Sequence, residues 1–234
     1  HPLTGKIRGR HFARHASHTP MNLAIRTFCQ GIGRSNFCDL RQKIGMRYGV
    51  KNQFASHVDM LKNANIDAVV ITLPRRLTFS IVKESLKHNK WVFTEKPLCL
   101  NLENAEEILN LSIQKKRSVY VGYMKVSDDG TKLFKNHFRS RPIKQIKTIR
   151  AFCHAGYSYA SPFGDIKGKQ LTPLEYKMEN YPEWLSEGLK ISYEQYLNTF
   201  SHITNALEFI TDSNLSFVSY MGNKNGEGFL NASL

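Results

Sequence analysis

Apolar residues along the middle of this chain follow two alternating periods. Ala68 to Leu73 form an unbroken β-branched run. Thr78 to His88 then follow a helical period, with Leu77, Ile81, Val82, Ser85 and Leu86 on one stripe. Trp91 to Thr94 are apolar again. Asn101 to Lys115 carry a second helical stripe of Leu102, Ala105, Ile108, Leu109 and Leu111, and Ser118 to Gly122 close the series as a further strand. Short runs of this kind alternating with helical periods predict β-α-β-α-β, a parallel sheet covered by helices. Ligands bind beyond the carboxyl ends of the strands in such sheets. Thr72-Leu73-Pro74, Glu95-Lys96-Pro97 and Tyr123-Met124-Lys125 all fall there.

On either side the pattern is weaker. Gly5 and Gly9 precede a helical-looking segment, but no strand leads into them, so a dinucleotide fingerprint is incomplete there. His11, His15 and His18 share a helical face; with no carboxylate or cysteine joining them, a solvated face is expected rather than a metal site. Leu23 to Cys29 predict a strand, Asn36 to Tyr48 a helix closed by Gly49, and Phe54 to Asn63 a strand or turn followed by a helix, with His57 at the surface. Beyond Tyr123, a helix is expected over Leu133 to Phe138 and a strand over Ile146 to Cys153. A long loop is expected over 154–182, a helix within Trp184 to Ile210, and a hairpin of Phe217 to Met221 with Gly228 to Leu234. The second half is therefore α+β. The expected division is a Rossmann-like domain over 1–123 and an α+β domain with a mostly antiparallel open sheet over 124–234.

Composition changes this picture little. The 234 residues are 41% hydrophobic and 22% charged, ordinary for a globular chain. No run is long and apolar enough for a membrane helix, and no secretory signal is legible, so a cytoplasmic setting with no membrane partner is expected. The four cysteines form no CxxC pair and read as reduced thiols. The net charge of +14 raises nucleic acid as a partner, but the basic residues are dispersed and no nucleic-acid-binding pattern accompanies them. Lys115-Lys116-Arg117 suit a helix end, and Arg75-Arg76, after a strand, could meet a phosphate.

IDAVVITLP, KWVFTEKPLCLNLENAEEIL and VYVGYMK, in that order, resemble the Rossmann half of the glucose–fructose oxidoreductase / inositol dehydrogenase / MocA (Gfo/Idh/MocA) family. Asn198-Thr-Phe-Ser-His202 is similar to the family's D-x-x-x-H helix. The resemblance implies an NAD(P)-dependent oxidoreductase that moves a hydride between nicotinamide and a hydroxyl or keto carbon of a sugar, inositol or nucleotide-sugar. It implies cofactor contacts at Gly9, Arg10, His11, Arg34, Thr72, Leu73, Pro74, Glu95, Lys96 and Pro97. Lys96 would also polarise the substrate oxygen, His202 would be the acid–base group, and Asn198 would stand beside it. Glu95 and Pro97 shape the bend that aims Lys96, a bend in which proline is often cis. Where a ribose-binding acid is usual, this chain has Gln30 with Arg34 and Ser35 after it, a slight lean toward NADP over NAD. Homo-oligomers through the second sheet are a further implication.

The chain also departs from the family. Asn198 stands where members carry aspartate, and an amide cannot relay a proton as a carboxylate can. That favours, as the alternative, a catalytically idle relative serving as a binding or regulatory module. The first Rossmann strand is not legible ahead of Gly9, and members carry several strands beyond the equivalent of Leu234. Missing residues are the expected cause of both.

Overall fold

A computed structural model describes residues 27–29, 37–139, 149–151, 178–222 and 228–233. In chain order the elements are β1 (Thr27–Cys29), α1 (Phe37–Tyr48), β2 (Asn52–Phe54), α2 (His57–Asn63), β3 (Ala68–Ile71), α3 (Arg75–Lys87), β4 (Trp91–Thr94), α4 (Leu102–Lys115) and β5 (Val119–Val121). They are followed by α5 (Asp129–Arg139), α6 (Lys190–Gln195), α7 (Ser201–Thr211), β6 (Ser216–Gly222) and β7 (Gly228–Ser233).

β3, β4 and β5 pair in parallel in the order β3-β4-β5, with Ile71 opposite Thr94 and Thr94 opposite Val121. β1 and β2 form a separate parallel pair. The alternating βα pattern dictates this arrangement, because parallel neighbours need a crossover and a helix supplies it. The stripe on α3 is buried: Leu77, Ile81, Val82 and Leu86 are at most 7% exposed and Ser85 is 1% exposed. Ile81, Val82 and Leu86 pack with Val69, Ile71, Val92, Ile108 and Val119 into one cluster on a single face of the sheet. Val70 points to the other face and is 62% exposed; no described element covers it.

Both helices have explicit ends. Asn101 caps α4 by accepting a bond from the Asn104 backbone N–H at 2.9 Å, and Lys116 closes it at φ 53°. α3 ends at His88, after which Asn89 takes φ 57°. Lys83 and Glu107 bridge the two helices at 2.5 Å.

The structure departs from the sequence-based expectations at several points. α3 begins at Arg75, directly after Pro74, rather than at Thr78, so Arg75 and Arg76 form its first turn. The apolar stripe starts only at Leu77 and hides those two residues from a periodicity argument. Leu102 was expected on the buried stripe of α4, yet it is 61% exposed, because as the first residue of the helix it precedes the turn that faces the sheet. His57 is half-buried rather than at the surface. Within the strand expected over Ile146 to Cys153, the described residues 149–151 are not strand, and Ile149 is 38% exposed, so the alternation has no buried face there. The helix expected over Leu133 to Phe138 extends to Asp129–Arg139 because Asp128 caps it, accepting from the Thr131 backbone N–H at 2.8 Å. That bond and a second from the Thr131 hydroxyl at 3.0 Å hold the Asp128 carboxyl below its ordinary range.

The described residues group into two compact units. One comprises 27–29, 37–121 and 178–180; the other comprises 122–139, 149–151, 181–222 and 228–233. In the second unit, α5 and α7 pack together and are joined by a charged latch. The Lys135 ammonium donates to the Phe209 carbonyl and to Asp212 Oδ1, and Arg139 reaches Asp212 Oδ2 at 2.6 Å. β6 and β7 form an antiparallel pair, as the hairpin pattern predicts. Among the described residues, no helix is long and apolar enough to cross a membrane.

Candidate functional site

Register places the carboxyl ends of β3 and β4 side by side. Ile71 and Thr94 are direct partners, and the Glu95 N–H donates to the Ile71 carbonyl at 3.1 Å. Thr72-Leu73-Pro74 and Glu95-Lys96-Pro97 therefore leave the sheet together, as the sequence predicts. Thr72, Pro74 and Glu95 are exposed, Leu73 and Lys96 are half-buried, and Pro97 is buried. The Lys96–Pro97 peptide is cis, as expected for that bend. Thr94, beneath the turn, is fully buried, and its hydroxyl donates to the Glu95 carbonyl at 3.3 Å. The edge thus combines an ammonium on a rigid turn with an exposed hydroxyl and exposed backbone. Such an edge can hold a planar, polar ligand lying across strand ends and offer it a positive charge.

Behind this edge stands a residue that sequence reasoning missed. Glu179 is only 5% exposed. Its Oε1 accepts from the Leu100 backbone N–H at 2.8 Å and from Asn104 Nδ2 at 2.7 Å. Its backbone pairs twice with Arg76: its N–H donates to the Arg76 carbonyl at 2.7 Å, and Arg76 Nε donates to its own carbonyl at 3.0 Å. Burial pushes the carboxyl above its ordinary range, opposed by these bonds and by Arg76. Oε2 is buried with no hydrogen-bond partner among the described residues. Nothing in KMENYPEW signals such a role, because an isolated acid in an aperiodic segment looks solvated. Cys99 lies nearby, and burial raises its thiol far above the range of a reactive thiolate.

The other proposed catalytic residues lie in the second unit. Between α6 and α7 the helix widens into a π turn over Tyr196–Phe200, which contains Asn198; π turns of this kind are frequent at functional sites. Asn198 is exposed and His202 half-buried. The Tyr123 ring meets the His202 imidazole edge-on, with centroids 6.0 Å apart at 84°. Tyr123 is also hydrogen-bonded to the Ser201 side chain, and burial raises its phenol above the ordinary value. The Ser201 hydroxyl donates to the Leu197 carbonyl at 2.7 Å, inside the same widened turn. The histidine therefore sits at the end of a π turn with a tyrosine edge against its ring. Gly9, Arg10, His11 and Arg34, together with His15 and His18, lie outside the described residues. Among the described residues, no group of three or more His, Cys, Asp or Glu could hold a metal ion.

Comparison with known proteins agrees with this geometry. The Gfo/Idh/MocA family model, an oxidoreductase family with an NAD-binding Rossmann fold, matches residues 4–123, just over half of the 234-residue chain. Inositol 2-dehydrogenase/D-chiro-inositol 3-dehydrogenase of Lacticaseibacillus casei is 28% identical over 113 residues, covering 48% of this chain and 32% of that protein. Inositol 2-dehydrogenase of Salmonella typhimurium is 26% identical over 101 residues, covering 42% of this chain and 30% of that protein. The aligned stretch is thus about a third of each curated relative. Apo scyllo-inositol dehydrogenase from Lactobacillus casei superposes with a TM-score of 0.58 at 18% identity, over 85% of this chain and 50% of that one. A probable dehydrogenase from Thermotoga maritima gives 0.56 at 17% identity, over 84% and 50%. At that identity the superpositions establish the fold. With the parallel strand-end edge in place and its residues inside the matched span, the chain belongs to the Gfo/Idh/MocA family of oxidoreductases, with the NAD-binding Rossmann fold.

Proposed function

We propose that this chain is an NAD(P)-dependent oxidoreductase acting on a hydroxyl or keto carbon of an inositol, sugar or nucleotide-sugar. The observation that carries this reading is the pairing of Thr72-Leu73-Pro74 with Glu95-Lys96-Pro97 at one sheet edge, within the span matched by an NAD-binding family. The described half of the edge offers a nicotinamide cofactor an exposed Thr72 and a half-buried Lys96, set on a turn whose Pro97 is buried. A solved relative, scyllo-inositol dehydrogenase from Lactobacillus casei, was captured with NAD(H) and scyllo-inositol, which supports the cofactor and the polyol class. Gly9, Arg10, His11 and Arg34 complete the proposed phosphate and ribose contacts, and Arg34 favours NADP slightly.

The nicotinamide, when bound, accepts or returns the hydride. Lys96 holds a positive charge at the substrate oxygen and steadies the alkoxide character that grows as the hydride leaves. His202, in the second unit, is the acid–base group that the family resemblance implies, a role suited to imidazole near neutral pH. Tyr123 keeps the His202 ring edge-on, and Asn198, unable to titrate, contributes hydrogen bonds only. Self-association through an antiparallel sheet of the second unit, of which β6 and β7 are the described pair, is part of the same proposal.

The test is titration of NAD(H) and NADP(H) in parallel by nicotinamide fluorescence and thermal shift, followed by turnover on inositols and sugars. Binding of neither cofactor sinks the reading. Lys96→Ala is expected to retain the fold and lose turnover by about 10²- to 10³-fold, the scale for removing one preorganised charge-stabilising group. A second reading, a catalytically idle binding module, is favoured by Asn198 in the aspartate position. Turnover that depends on Lys96 excludes it.

A further inference from the structure

We propose that Glu179 is a positioning residue for the cofactor edge, acting through the two segments that leave β3 and β4. This rests on the proposed function above. The Leu100 amide lies three residues beyond Pro97, and Asn104 lies in the first turn of α4; a single carboxylate oxygen, Oε1, holds both. The neighbouring Asn180 carbonyl accepts from Asn101 Nδ2 at 3.4 Å, and Asn101 is the cap of the same helix. On the other side, the paired backbone bonds fix Arg76, two residues beyond Pro74. One short stretch, 179–180, therefore stitches together the segments following Thr72-Leu73-Pro74 and Glu95-Lys96-Pro97.

The energetic reason for an acid at this position is local. Leu100 is 1% exposed, so its amide has no water to turn to, and an unmet buried N–H costs about 1–3 kcal/mol. A carboxylate oxygen can accept from that amide and from Asn104 at once, as an aliphatic side chain cannot. Loss of both bonds frees the lead into α4, and with it the turn that carries Lys96. Misplacement of a binding group by about 1 Å is enough to cost a site much of its efficiency.

The substitution Glu179→Ala removes both acceptor contacts. Glu179→Gln keeps an oxygen at Oε1 and is the conservative rescue. Glu179→Asp withdraws the carboxylate by one methylene and serves if the alanine variant does not fold. All are made in the full chain. Two readouts are taken: hydrogen exchange of peptides spanning 72–80 and 95–104, and dissociation constants for NADH and NADPH by fluorescence. The expected result is faster exchange in both peptides and cofactor binding about tenfold weaker for Ala or Asp, the scale seen when groups supporting a site's direct ligands are lost. Gln is expected to stay near the parent in both. Unchanged exchange in Ala and Asp overturns the proposal, as does parental cofactor affinity despite faster exchange. Equal loss in Gln and Ala also overturns it, because the role would then belong to the charge rather than to the held position. If the parent binds neither cofactor, the proposed function fails and the inference fails with it. A parent that binds while Ala and Asp bind equally well sinks the inference alone.

Discussion

Each compact unit has its own internal means of cohesion. In the first, Leu61, Ile81, Val82, Leu86, Val92 and Ile108 are at most 7% exposed and form one aliphatic cluster under a parallel sheet. In the described part of the second, only Leu185 is a buried aliphatic, while Lys135, Ser201 and Thr211 are buried polar residues. There the α5–α7 contact rests on the Lys135–Asp212–Arg139 latch, and Leu133 and Ile191 stay 71% and 68% exposed. An aliphatic cluster is non-directional, tolerates small shifts and fixes a sheet as a platform. A charged latch is directional: it sets one orientation and fails when either partner is removed. The platform carries strand-end loops; the latched helices carry the π turn, Asn198 and His202.

Breaking the platform is expected to have the largest effect on stability. Leu86→Ala, at a fully buried site, should cost about 2–5 kcal/mol by denaturant unfolding. A cost below about 1 kcal/mol would mean that the cluster is not the source of the first unit's stability. Next comes the latch. Asp212→Asn should cost about 1–3 kcal/mol, because Lys135 is 7% exposed and would then face only neutral acceptors in place of a carboxylate. Burial pushes the Asp212 carboxyl up, but hydrogen bonds from Lys135 and Arg139 outweigh it and hold the group below its ordinary range. A depressed carboxylate stabilises the fold above its unfolded value, near pH 3.8, and that contribution is lost as pH falls through the lower folded value. Acid titration of Asp212→Asn should lack this step.

A smaller effect is expected at the helix cap. Asn101→Ala removes the acceptor for the Asn104 amide and should cost about 1 kcal/mol, read as a lowered unfolding midpoint. The smallest is a pH dependence in the first unit. Burial holds His57 below its ordinary value; Glu84 opposes this and His88 adds to it. A histidine kept neutral by the fold stabilises it above pH 6.5, and that contribution is lost as pH falls through the lower folded value. Stability measured between about pH 7 and pH 5 should therefore decline less in His57→Gln than in the parent. An identical slope in both would show that His57 is not the group responsible.

The β3–β4–β5 half of the fold was legible in the sequence because each of its elements announces itself locally. The α3 stripe repeats at helical spacing, Asn101 stands where a cap belongs, and the β-branched run of β3 is short and bounded by Pro74. The strand-end motifs were legible for the same reason, since a parallel βαβ pattern already says which ends align. The first turn of α3 was not legible, because Arg75 and Arg76 carry no apolar signal and Pro74 reads as a stop. Nor was the π turn over Tyr196–Phe200, because one extra residue in a turn leaves aromatic spacing such as Tyr196 to Phe200 unchanged.

Local order along the chain thus determined the parallel sheet, its covering helices and the edge bearing Lys96, since periodicity and capping act between residues a few positions apart. Only the tertiary structure decided that Glu179 would reach back to residues 75–103 positions earlier in the chain, binding Leu100, Asn104 and Arg76. It alone set the Tyr123 ring against His202 and buried Lys135 beneath α7. Each of these is a contact between groups distant in sequence. Such contacts obey no period, and the solvated acid, the surface lysine and the buried partner share the same one-letter code until the chain folds.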